Sequence, residues 1–154
     1  MKRFSLFLIF LCCLFVTGCG NSNKEKTVKT LNDFEIAATS NGFVVTNNMD
    51  SYENVSYIMD SMKATLGKVE IEMVIYDNED NAKKAHDSHI EVFNGMKGSG
   101  ATLNKNKGKN YYSYNMISNG YYMISERVGN TLVFSKTQLA NKEKVDKLLR
   151  AMDY

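Results

Sequence analysis

Residues 111–136, YYSYNMISNGYYMISERVGNTLVFSK, are the stretch that decides the fold. Asn119-Gly120 is the strongest short signal for a β-hairpin turn, and Gly129-Asn130 is a second two-residue turn. Each turn separates runs that are rich in aromatic and β-branched residues, which favour strands. The stretch therefore predicts a three-stranded antiparallel meander.

Two-residue turns fix which side chains of the meander share a face, because successive side chains of a strand point to opposite sides. The predicted core face carries Tyr112, Tyr114, Met116, Tyr121, Met123, Leu132 and Phe134. The opposite face carries Ser113, Asn115, Glu126 and Ser135 together with Tyr111, Ile117, Tyr122, Ile124 and Val133. Tyrosine is favoured at interfaces. If helices leave this second face uncovered, we expect Tyr111, Ile117, Tyr122 and Ile124 to form a contact surface.

Helices and further strands flank the meander. Thr30 followed by Asp33 predicts a capped helix that ends near Asn41, and residues 43–46 predict a short strand. Alternating apolar side chains over 69–75 predict a strand with one buried face, and residues 77–81, DNEDN, predict the capped start of a helix that runs to about Met96. A terminal helix from about Asn141 closes the domain.

Two segments are harder to assign. Residues 50–66 have apolar side chains at helical spacing, but residues 60–65 lead through Gly67 into the strand at 69–75, which suits a hairpin partner. We prefer the hairpin. Residues 95–109, rich in Gly, Lys and Asn, predict a loop.

This order of elements predicts an α+β domain. We expect an antiparallel sheet with helices packed on one face, and a C-terminal three-stranded meander followed by a terminal helix. The expected organisation is a removable signal at 1–18, a flexible tether at 19–29 and a single domain at 30–154.

The first residues have the pattern of an export signal. Lys2 and Arg3 precede an apolar run over residues 4–16, and small residues follow. The run is shorter than the roughly 20 residues that span a bilayer. We therefore interpret it as a removable signal.

Val16-Thr17-Gly18-Cys19 closes this signal and resembles the lipobox of bacterial lipoproteins. The resemblance implies cleavage after Gly18 and a diacylglyceryl group on Cys19, which would place the chain at the extracytoplasmic face of the cell membrane. Two acyl chains suffice for stable anchoring. The layout of the mature chain also resembles that of small uncharacterised lipoproteins of Gram-positive bacteria. The alternative is an ordinary signal peptide followed by a chance cysteine.

Composition excludes several function classes. Lys2 and Arg3 leave with the signal, so 17 of the 19 basic side chains remain against 17 acidic ones. A neutral chain without a basic stripe is not typical of nucleic-acid binding. Cys12 and Cys13 lie in the signal and Cys19 would be acylated, so the mature chain offers no cysteine nucleophile, thiolate metal site or disulfide.

Candidate catalytic or metal-binding groups have simpler interpretations. His86 and His89 are three residues apart on one helix but lack a third zinc ligand. We expect His89 at the core edge and His86 on a solvated or partly packed face. Glu70 and Glu72 share one side of a strand, where cross-strand lysines are the expected partners. A phosphate-binding loop follows a strand and opens a helix, whereas Gly95, Gly98 and Gly100 follow a helix. We interpret them as part of a flexible connection.

These patterns favour a non-enzymatic binding or interaction module of the cell envelope, with no metal or cofactor. Its expected partners are membrane lipid, through acylated Cys19, and an envelope protein or a ligand. The alternative is a small-ligand-binding protein or an enzyme whose site is assembled from scattered residues.

Overall fold

The computed structural model describes residues 24–154, so Gly18, Cys19 and the rest of the export signal lie outside the described residues. The helices are α1 (Leu31–Ser40), α2 (Glu79–Gly95) and α3 (Lys142–Ala151). The strands are β1 (Val44–Asn47), β2 (Ile58–Leu66), β3 (Val69–Tyr76), β4 (Thr102–Lys107), β5 (Tyr111–Ser118), β6 (Tyr121–Val128) and β7 (Thr131–Gln138). Short 3₁₀ helices span Met49–Tyr52 and Leu139–Asn141.

All seven strands form one antiparallel sheet in the order β1-β2-β3-β7-β6-β5-β4. The predicted meander is β5-β6-β7, and its two-residue turns join Ser118 to Tyr121 and Val128 to Thr131 in register. Asn119 and Gly120 both have positive φ, 51° and 78°, as a type I′ turn requires. The α+β class, the antiparallel sheet, the meander and the terminal helix are confirmed.

The helices cover both faces of the sheet, which corrects the expectation that they pack on one. Helices α1 and α3 pack on the face that carries Ile71, Met73 and Ile124, which we call face A. Helix α2 packs on the opposite face B, where Ala82 joins a cluster with Val74 and Leu132. Phe93, near the end of α2, meets Tyr114, Met116 and Met123 on the same face. The meander is therefore buried on both sides.

Most of the predicted elements form, for the expected reasons. The Thr30 hydroxyl accepts from the backbone N–H of Asp33, and the Asp33 carboxylate accepts from the backbone N–H of Thr30. These two hydrogen bonds form the capping box of α1. Asn78 caps α2 by accepting from the backbone N–H of Asn81 at 2.9 Å. In residues 50–66 the preferred hairpin partner forms as β2, and the helical alternative survives only as the short 3₁₀ helix.

The predicted loop at 95–109 is wrong over six of its fifteen residues, because residues 102–107 form β4. Its sequence, TLNKNK, has one large apolar side chain, so no alternation marks it as a strand. It forms because β5 offers an open edge, and six consecutive residues of β4 pair with it. No helix of residues 24–154 is both long and apolar enough to span a membrane.

The expected flexible tether at 19–29 needs correction over residues 24–29. Asn110, in the turn between β4 and β5, donates to the Lys26 carbonyl at 2.8 Å and accepts from the Lys26 N–H at 2.9 Å. The Lys109 N–H donates to the Lys24 carbonyl at 2.9 Å. The segment therefore lies against the turns at one end of the sheet.

Candidate functional site

The four residues predicted as a contact surface share face A, as the register required, but they do not form a free surface. Tyr111, Tyr122 and Ile124 are 4%, 5% and 0% exposed, and Ile117 is half-buried. The Tyr122 hydroxyl donates to Asp146 of α3 at 2.8 Å. Face A is occupied by α1, α3 and the segment before α1, so these side chains serve the core.

Of the two histidines of α2, His86 is placed differently from the prediction, whereas His89 lies half-buried at the core edge. His86, expected on a solvated or partly packed face, is fully buried, and its Nδ1 lies 2.8 Å from the Ser125 hydroxyl. Burial lowers the pKa of His86 to about 4. The ring of His89 lies 4.3 Å from that of Phe134, and burial lowers its pKa as well. Within residues 24–154, no group of three His, Cys, Asp or Glu side chains is arranged to hold a metal ion.

Glu72 is a buried carboxylate on face B that three hydrogen bonds hold in place. Its side chain is 9% exposed, and Oε1 accepts from Tyr52 at 2.5 Å, Asn48 at 2.7 Å and Ser61 at 3.0 Å. Lys63 is its direct cross-strand neighbour, as expected, but the described residues contain no salt bridge between them. Neutral donors from the 3₁₀ helix, the segment before it and β2 hold the carboxylate instead.

An open cleft of about 310 Å³ lies beside Glu72, between α2 and the sheet. Its other lining residues are Lys63, Glu70, His89, Phe93, Phe134, Ser135 and Lys136. All the hydrogen bonds that the described residues make to the Glu72 carboxylate end on Oε1, which leaves Oε2 for the cleft. The buried Nδ1 of His89 also has no partner among these residues. An unpaired buried polar atom costs free energy unless a ligand or water satisfies it.

The chemistry of this cleft suits binding. Glu72 presents a fixed negative charge, Lys63 and Lys136 present positive charges, and Phe134 gives an apolar wall. The only hydroxyl side chain in the lining is that of Ser135, and it donates to the Glu70 carbonyl at 2.5 Å. A serine committed in this way, with no base beside it, is not an activated nucleophile.

A second buried carboxyl lies on face A. Glu126 is 4% exposed and accepts from the Ser113 hydroxyl at 2.8 Å. Burial raises the pKa of Glu126 to about 7, against the lowering effect of Ser113 and of the Lys26 charge. The Oδ1 atom of the neighbouring Asn115 is buried without a partner among the described residues. Glu126 is thus a titrating group inside the fold.

Sequence reasoning placed Glu70 and Glu72 on one side of β3 but missed the difference between them. Glu70 is exposed and Glu72 is buried. The available signal was Met73-Val74-Ile75-Tyr76, where four consecutive apolar residues indicate a strand covered on both faces. A glutamate directly before such a run is a candidate for burial. The three donors to Glu72 come from residues 48–61, and no local sequence pattern connects those residues to β3.

Comparison with known proteins identifies no family and finds a distant structural similarity. No protein-family model matches the chain, and no curated protein is significantly similar to it. A crystal structure from Thermotoga maritima, described as a GTP-binding regulator, is similar with 17% identity and a TM-score of 0.47. The match covers 80% of this chain and 87% of that one.

Proposed function

We propose that this chain is a lipoprotein anchored by acylated Cys19 at the extracytoplasmic face of the cell membrane, where its domain acts as a non-enzymatic binding module. The lipobox-like residues Val16-Thr17-Gly18-Cys19 support the anchor. The Glu72 cleft supports binding, because an ordered carboxylate beside an open cavity is already arranged for a ligand.

The charges of the cleft favour a small zwitterionic ligand, such as a free amino acid or a short peptide. Glu72 Oε2 suits an ammonium group, and Lys63 and Lys136 suit a carboxylate. The cleft volume falls at the lower end of the range for small-molecule sites, roughly 300–1,000 Å³. Phe134 and Phe93 would contact the apolar part of such a ligand.

The anchor is tested by Cys19→Ala in the full-length chain. We expect the variant to escape lipid modification and cleavage after Gly18, which fractionation and mass measurement of the N-terminus would detect. Cys13→Ala is the matched control, because it removes a cysteine from the same signal without touching the lipobox. Normal cleavage of Cys19→Ala after Gly18 would contradict the proposal.

The cleft is tested with three matched probes: glycylglycine, N-acetylglycylglycine, which lacks the amine, and glycylglycinamide, which lacks the carboxylate. We expect glycylglycine to bind best and to shift the ring NMR signals of His89. Glu72→Gln should abolish the preference for a free amine, whereas Glu35→Gln on the exposed side of α1 should not. If a panel of amino acids and dipeptides leaves His89 unmoved, the cleft is not a zwitterion site.

A further inference from the structure

The segment that leads to Cys19 leaves the domain at a defined place. Asn110 holds the backbone of Lys26 by two hydrogen bonds, and Lys109 holds the carbonyl of Lys24. Gly108 lies so close that a Cβ there would be 2.3 Å from the same carbonyl. The turn between β4 and β5 is therefore the part of the domain next to Lys24.

The distance from this turn to the anchor is short. Lys24 follows Cys19 by five residues. A fully extended chain spans at most about 3.6 Å per residue, so about 18 Å separates the two at most. If Cys19 carries the lipid, the β4–β5 hairpin lies close to the membrane surface whatever path residues 20–23 follow.

The same hairpin has charge of one sign. Residues 92–125 contain no Asp or Glu, and four lysines lie within them, Lys97, Lys105, Lys107 and Lys109. Lys105 and Lys107 are exposed on the edge strand β4 and take part in no salt bridge among the described residues. Lys109 pairs with Glu25, yet its side chain remains 70% exposed. An otherwise neutral mature chain thus concentrates basic side chains next to its anchor.

We infer that the β4–β5 hairpin is the membrane-facing edge of the domain, and that Lys105, Lys107 and Lys109 bind anionic lipid headgroups. The inference rests on the proposed anchor at Cys19. It follows that the opposite end of the sheet, with the Asn119-Gly120 turn, points away from the membrane. Lysine on an edge strand also discourages pairing with other chains, and that role does not require contact with a membrane.

The experiment uses the mature lipidated protein in vesicles of phosphatidylcholine and phosphatidylglycerol. Acylation leaves no other thiol in the mature chain, so Asn106→Cys in β4 and Gln138→Cys at the far end of β7 each give one labelling site. We expect a lipid-borne quencher to quench a fluorophore at 106 much more than one at 138. Each lysine contact should change headgroup partitioning by about fivefold at low salt.

Triple replacement of Lys105, Lys107 and Lys109 by Gln should reduce the difference between the two labels, and high salt should do the same. Replacing Lys68, Lys144 and Lys147 by Gln removes the same charge elsewhere and should not. Equal quenching at 106 and 138 in vesicle-bound protein would overturn the inference while the anchor stands. An unchanged difference after the triple replacement would overturn the headgroup role of the lysines. If the native protein isolated from cells carries no lipid on Cys19 and is not found in the membrane fraction, the anchor is contradicted, and this inference with it.

Discussion

The side chain of Asn110 forms a reciprocal pair of hydrogen bonds with the backbone of Lys26, 84 residues earlier in the chain. The amide of Asn110 thereby acts as the backbone of a neighbouring strand would. Gly129 lies under the same segment, since a Cβ on it would be 2.7 Å from a methyl of Val28. Residues 24–29, the N-terminal segment, are thus held on the turns at 108–110 and 129–130, close to the proposed anchor.

Asn110→Ala should release this segment. Loss of two hydrogen bonds should lower the free energy of unfolding by about 1–2 kcal/mol. Hydrogen exchange should accelerate at Lys26 and Lys109, and denaturant unfolding would give the energy. Asn104→Ala, at an exposed position of β4, is the control and should leave both unchanged. Unaltered exchange at Lys26 in Asn110→Ala would show that other contacts hold the segment.

Tyr52→Phe should destabilise the domain by about 1.5–3 kcal/mol, because it removes a hydrogen bond to a carboxylate. Burial and the Glu72 carboxylate raise the pKa of Tyr52, so the hydroxyl donates throughout the neutral range. Tyr57→Phe is the matched control, since Tyr57 is 47% exposed and its ring lies against Tyr76, but its hydroxyl makes no hydrogen bond among the described residues. Urea unfolding gives the free energy of unfolding of both variants. Equal values would mean that the hydrogen bond from Tyr52 to Glu72 does not stabilise the domain.

His86 should make the domain sensitive to acid. Its pKa of about 4 lies below the ordinary value of 6.5, because burial disfavours the charged ring. Its contribution is complete above pH 6.5 and is lost as the pH falls through 4, for a total of up to about 3 kcal/mol. His86→Gln has no such group and should not lose this stability. As the pH falls from 7 to 4, the free energy of unfolding of the wild type should therefore decrease more than that of the variant. Parallel pH profiles would contradict a buried neutral His86.

Glu126 should act in the opposite direction. Burial raises its pKa from 4.5 to about 7, so its contribution is complete below pH 4.5 and is lost as the pH rises through 7. The free energy of unfolding of Glu126→Gln, measured relative to the wild type, should be higher at pH 8 than at pH 4 by up to about 3 kcal/mol. Glu91→Gln, on the exposed side of α2, should show no such change. A constant difference between Glu126→Gln and the wild type across this range would mean that Glu126 titrates normally.

Local patterns carried most of the fold. Turn sequences, alternation and caps act over a few residues, and so the meander, the β2–β3 hairpin and all three helices were predictable. β4 was not, because its own sequence has no strand pattern and it depends on the edge of β5. The burial of His86 was also unpredictable, since it needs Ser125 from a strand 39 residues away.

The candidate site was less predictable than the fold. The sequence put Glu70 and Glu72 on one face, but the three donors that distinguish Glu72 come from residues 48, 52 and 61. The predicted contact face failed for a related reason. The register of Tyr111, Ile117, Tyr122 and Ile124 was right, but α3 and the N-terminal segment cover them.

By itself, the sequence determined which side chains share each face of the meander and where the helices begin, because these depend on a period of two and on caps within one turn. It also supplied the lipobox-like motif on which the proposed anchor rests. Only the tertiary structure decided which face each helix covers, which carboxyl is buried and where the N-terminal segment lies. These features depend on contacts between residues that are far apart in the chain, and local patterns do not determine them.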